Sequence, residues 1–129
     1  PTICDYAGAL VPKGCLGRSV RRLAEGRVQA SWRPYVVSET SFGNWAKVGE
    51  ADFPKARMVR TDRYKYIAYD KGQRREQLID METDPGEMKN VAGRAELAGV
   101  LQQHRDYLAQ WCRRTNDAFD LPGDGVARS

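Results

Sequence analysis

His104 is the only histidine in the sequence. One imidazole cannot form a His-pair metal site. A nucleophile–histidine dyad would also need a serine or cysteine that no local pattern singles out. Leu101 and Leu108 share its apolar stripe at helical spacing, so His104 is expected to be a packed residue and not a catalyst. Cys4, Cys15 and Cys112 are far apart and form no C-x-x-C pair, which argues against a zinc site. Their odd number leaves at least one thiol unpaired within the chain. A Cys4–Cys15 bridge and buried free thiols both stay open, with free thiols preferred.

Carboxylates offer little more. Asp84-Pro85-Gly86-Glu87 lacks the alternating ligand spacing of a calcium loop and reads as a β-turn with Pro and Gly at its centre. Asn90 then starts a turn ahead of a helix. Glu39 ends a strand and is expected to pair with an arginine. Arg60 and Lys65 read as solvated strand charges. No G-x-x-x-x-G-K-[ST] or G-x-G-x-x-G phosphate loop occurs. Trp45 and Lys47, on a long loop over residues 40–55, are the one pair expected to touch a substrate. No residue is expected to be catalytic, and none is expected to bind a metal.

The elements that would hold these residues follow from periodicity and breakers. Residues 2–9 read as the last turns of a short helix stopped at Gly8. Ser19 is expected to cap a second one over Val20–Glu25, with Gly26 after it. Strands are expected at about 35–39, 57–61, 64–69 and 76–81, with Asp62-Arg63 as a hairpin turn. Both pleat faces carry apolar side chains: Tyr64 and Tyr66 on one, Ile67 and Tyr69 on the other, with Leu78 opposed to Ile79. A sheet with one wet face would alternate cleanly, so both faces are expected to need cover. Leu97, Val100, Leu101, His104, Leu108, Trp111 and Cys112 define an amphipathic helix over about 94–114. Residues 115–129 read as a tail. The expected fold class is α+β: a small antiparallel sheet of about four strands packed on a long C-terminal helix, with short helices before it.

Composition bounds function. Apolar residues make up 41% of the 129, which excludes wholesale disorder. No window approaches the ~18 consecutive apolar residues of a membrane span. The net charge is +4, but no basic run alternates with stacking aromatics, so nucleic-acid binding is not expected. An anionic small substrate or glycan remains compatible with the charge. The chain begins at Pro1 with no initiator methionine, and an upstream part is expected.

The order of motifs is more specific than any one of them. PTICDYAG, GRSVRRLAEG, YVVSE, MVRTDRYKYI and EQLIDMETDPGEMKNVA, followed by the amphipathic helix, resemble the C-terminal region of the sulfatase family. Thr2, Asp5, Ala7 and Gly8 match its T-x-x-D-x-A-G pattern. Gly17, Arg18, Ser19, Leu23 and Gly26 match its G-x-S segment. Val59, Arg60, Thr61, Tyr64, Lys65, Tyr66 and Ile67 match a VRT-x-x-YKYI strand. Leu78, Asp80, Asp84, Pro85, Glu87, Asn90 and Ala92 match the turn after it. Arg22 and Ile79 depart from the pattern.

The resemblance covers roughly residues 1–119. It implies that residues 1–33 end a catalytic body and link it onward, that 34–114 form the C-terminal subdomain, and that 115–129 are a tail. It also implies a parent enzyme that hydrolyses sulfate esters, on a carbohydrate or glycosaminoglycan, with formylglycine and calcium. Periplasmic, extracellular or lysosomal settings fit such a family. The family's C/S-x-P-x-R motif is absent; the nearest string, Cys15-Leu16-Gly17-Arg18, has no Pro and places Arg one position early. The expected partners are therefore a missing N-terminal catalytic domain and, through it, a sulfated carbohydrate. Self-association through an uncovered sheet face is expected of the chain alone. A standalone carbohydrate- or protein-binding module and the C-terminal part of a related phosphodiesterase are the alternatives.

Overall fold

A computed structural model describes residues 1–27, 32–41 and 55–123. The chain divides into two compact units, Pro1–Arg33 and Pro34–Ser129.

In the first unit, α1 spans Thr2–Ala7 and α2 spans Arg21–Ala24. Gly8 closes α1 at φ 64°, a left-handed conformation that glycine adopts without cost. Ser19 does not occupy the N-cap of α2; Val20 does. The Ser19 hydroxyl still accepts the Arg21 N–H at 3.2 Å, at the start of α2, and donates to Asp5 Oδ2 at 2.6 Å, while Thr2 Oγ1 accepts the Val20 N–H at 3.1 Å. Neither helix buries a residue.

The second unit is a four-stranded antiparallel sheet in sequential order. Its strands are β1 Val36–Ser41, β2 Lys55–Arg60, β3 Tyr64–Tyr69 and β4 Glu76–Asp80. The β2–β3 connection is the expected tight turn: the Thr61 N–H bonds the Tyr64 carbonyl at 3.0 Å. β1 lies one or two residues later than expected and β2 starts two residues earlier, because pairing runs as far as Ser41↔Lys55.

The long helix α3 covers Ala98–Thr115, preceded by a 3-10 turn at Ala95–Leu97. Arg94 was expected to be helical and is extended, and the Leu97 N–H bonds the Arg94 carbonyl at 3.0 Å. Asn116, in the left-handed region at φ 56°, ends α3.

Register decides what the helix covers. Val59 faces Tyr66, and Tyr66 faces Leu78. This row packs with Ala68, Val91, Leu101, Leu108 and Cys112 into one core. On the opposite pleat face Ala56 and Ile79 are buried, and Met58, Ile67 and Tyr69 are half-buried. Apolar side chains thus withdraw from water on both faces.

Candidate functional site

A cavity of about 170 Å³ lies between one flank of α3 and residues 121–123. Tyr66, Gln102, Arg105, Asp106, Leu121 and Pro122 line it. Beside it Arg105 grips Glu76 with two parallel bonds, Nε to Oε1 at 2.7 Å and Nη2 to Oε2 at 2.6 Å. The Tyr66 hydroxyl donates to the same Oε1 at 2.7 Å. Burial pushes the Tyr66 phenol well up, and the Glu76 hydrogen bond adds to it. Burial also pushes Glu76 up, but the hydrogen bonds from Arg105 and Tyr66 outweigh it and hold the carboxyl below its usual range. A carboxylate engaged by three donors is a strut and a poor general base. Gln102 Nε2 and Asp106 Oδ1 are likewise paired at 3.0 Å.

A second cluster ties the residues after α3 to β2. Buried Arg57 donates to Asp117 through Nε at 2.7 Å and Nη2 at 3.1 Å, with Glu39 3.7 Å away. Phe119 lies against the guanidinium at 4.8 Å. Glu39 thus has the arginine partner expected of it. Cys112 sits beside Asp117, and burial pushes its thiol up, away from the thiolate a nucleophile needs.

His104 is buried as expected. Its Nδ1 lies 2.7 Å from the Val100 carbonyl and its Nε2 3.1 Å from Thr61 Oγ1. Lys65 pairs with Glu87, and Arg60 binds the carbonyls of Thr61 and Tyr64. Neither is the free strand charge that was expected. The Asp84–Glu87 turn forms with a 3.0 Å bond from the Glu87 N–H to the Asp84 carbonyl. All three cysteines are free, and Cys15 is exposed where a buried thiol was expected.

Trp45 and Lys47 lie outside the described residues. Among the described residues no group of three or more His, Cys, Asp or Glu could hold a metal ion. The Cys15–Arg18 string lacks the proline and spacing of a formylglycine precursor. Among the described residues no set fits calcium, and the sequence carries no formylglycine precursor motif. Sequence reasoning missed both the Tyr66–Glu76–Arg105 strut and the Arg57–Asp117 clasp. A buried-face carboxylate at Glu76 opposite a helix arginine was the available signal.

The ordered motifs, carried on this sheet and helix, have counterparts among known proteins. Residues 1–114 match the family model described as N-sulphoglucosamine sulphohydrolase, C-terminal. A Delta 4,5-hexuronate-2-O-sulfatase of Bacteroides thetaiotaomicron is 40% identical over 119 residues, covering 92% of this chain and 24% of that protein. Human arylsulfatase K is 34% identical over 99 residues, 71% of this chain and 17% of that one. Among solved structures, a 2-O GAG sulfatase superposes with a TM-score of 0.75 at 40% identity, over 91% of this chain and 24% of its own. The phosphonate monoester hydrolase of Agrobacterium radiobacter gives a TM-score of 0.69 at 29% identity, over 89% of this chain and 24% of its own. The chain spans 17% to 24% of the length of these sulfatases, and it belongs to the sulfatase family as a C-terminal domain of the N-sulphoglucosamine sulphohydrolase type.

Proposed function

We propose that this chain braces the catalytic body of a sulfatase that cleaves sulfate esters on a glycosaminoglycan-type saccharide. The observation that carries this is the 40% identity to a hexuronate 2-O-sulfatase over nearly the whole chain. The absence of the nucleophile motif from residues 1–129 supports a division of labour. In it, formylglycine and calcium belong to preceding sequence, and this chain supplies a rigid sheet and helix. Trp45 and Lys47 are its proposed substrate contacts. An aromatic ring can lie against a sugar and an ammonium against a sulfate.

The test compares two proteins. The purified 129-residue chain should release no sulfate from an aryl sulfate in the presence of calcium. The same chain fused behind sequence carrying a C/S-x-P-x-R motif should release it, and Trp45→Ala should raise KM more than it lowers kcat. Metal-dependent turnover by the isolated chain would overturn the proposal.

A further inference from the structure

The chain's charge is unevenly distributed. Residues 1–33 hold six Lys and Arg against Asp5 and Glu25 alone, a net +4. The whole chain, with 21 basic and 17 acidic residues, is also +4, so residues 34–129 carry fifteen of each sign. Both acids of the first unit are already engaged. Asp5 meets Arg21 at 3.5 Å, and Glu25 meets Arg21 at 2.8 Å and Arg27 at 3.3 Å. Among the described residues no carboxylate lies within ion-pair distance of Lys13, Arg18, Arg22 or Arg33. Two of these four cations are gathered on one ring. The Arg18 guanidinium lies 5.1 Å from the Trp32 ring centroid and that of Arg33 lies 5.2 Å from it.

Such a contact fixes the cation but satisfies none of its N–H donors. The indole therefore holds two guanidinium forks no more than about 10 Å apart. Among the described residues no acid relieves their mutual repulsion. Arg18 is exposed, and Trp32 and Arg33 are half-buried, so the donors can be reached from water.

We propose that Arg18, Trp32 and Arg33 form a binding site for a sulfated, uronate-bearing oligosaccharide. The ligand class rests on the sulfatase reading above; the anion site rests on the charge and the geometry. A sulfate and a carboxylate on neighbouring sugars each present a pair of oxygens that a guanidinium fork can meet with two N–H groups. Nucleic acid is the weaker occupant, because it would want a series of rings for successive bases and Trp32 is one ring already flanked by cations.

Calorimetric titration of the 129-residue chain with a 2-O-sulfated unsaturated hexuronate disaccharide tests this. The double variant Arg18→Gln/Arg33→Gln should bind at least roughly tenfold more weakly, as expected for loss of charge-assisted bonds. Arg22→Gln, which removes one charge without touching the ring, should bind as the parent chain does. Circular dichroism should be unchanged in both. Unaltered affinity in the double variant, equal loss in Arg22→Gln, or tighter binding of a single-stranded oligonucleotide than of the disaccharide would each overturn the proposal. Sulfate release by the fused protein is measured separately. Binding without hydrolysis would leave the site standing and remove the enzyme reading. Hydrolysis without binding at Arg18, Trp32 and Arg33 would remove the site alone.

Discussion

At the scale of single residues, His104 shows how a potentially reactive group is made structural. Its ring sits under the Tyr64, Tyr66 and Tyr107 rings, with centroids 6.0, 6.4 and 6.0 Å away. Nδ1–H donates to Val100 and Nε2 accepts from the Thr61 hydroxyl. A proton added at Nε2 could be accommodated, since Thr61 Oγ1 also lies 3.2 Å from the Tyr64 carbonyl and its hydroxyl can turn there. The cost of protonation is therefore burial, which lowers the His104 pKa. The sign follows. A histidine depressed in the fold favours folding while it is neutral, above the unfolded value near 6.5, and that contribution is lost as pH falls from there toward the folded value. Urea unfolding between pH 7.5 and 5 should show stability falling by at most about 1.4 kcal/mol per unit. His104→Gln should flatten that slope, and an identical slope in the variant would refute the assignment. The window lies above the Asp80 carboxyl, held at about 2 by its hydrogen bonds from Arg63. The packing of His104 was legible because its neighbours recur at helical spacing. The Tyr66–Glu76–Arg105 strut was not, because its members lie 10 and 29 positions apart and nothing local links them before the fold exists.

At the scale of elements, the sheet is finished by a residue outside it. β4 is an edge strand, and an open edge leaves N–H and C=O groups unpaired. Asn90 serves them as a short surrogate strand. Its Oδ1 accepts from Leu78 N–H at 3.0 Å and from Ala92 N–H at 3.0 Å, and its Nδ2 donates to the Glu76 carbonyl at 3.1 Å. The Val91 N–H continues the pattern to the Leu78 carbonyl at 2.8 Å. Asn90→Ala should cost about 2 kcal/mol, because it strips partners from groups beside the fully buried Leu78. It should also speed amide exchange at Leu78 ahead of the other strands. Uniform exchange across the sheet would show that Asn90 caps nothing. From the sequence, Asn90 could be seen to start a turn, since that is a local preference of the side chain. Its hold on β4 could not, because the partners are backbone groups 12 and 14 positions away. Strand boundaries drifted for the same reason: pairing with a neighbour, not intrinsic propensity, sets where a strand ends.

At the scale of the whole molecule, exposed apolar surface lies elsewhere than the sequence suggested. Doubled apolar faces on the strands pointed to a bare sheet face. Among the described strand residues, Val36 is the one large apolar side chain that is exposed, at 44%. In the first unit Ile3 is 84% exposed, Leu10 96% and Leu16 62%, with Tyr6, Val11, Val20 and Leu23 also open. Helix pattern alone could not reveal this. It shows which residues share a face, and whether anything covers that face depends on chain far away in sequence. So many exposed large apolar residues within 33 positions point to a surface meant for burial. In the proposed enzyme the preceding catalytic body would cover them. Without it, the isolated chain should satisfy the patch with a second copy. Light scattering should give a mass above that of the monomer at micromolar concentrations, rising with concentration, together with binding of an apolar fluorescent dye. The triple variant Ile3→Asp/Leu10→Asp/Leu16→Asp should be monomeric and dye-silent, with unchanged circular dichroism because these side chains bury nothing in the chain itself. A monomeric parent chain that binds no dye would contradict the docking role of the first unit, and would leave the sheet, the helix and the family assignment as they stand.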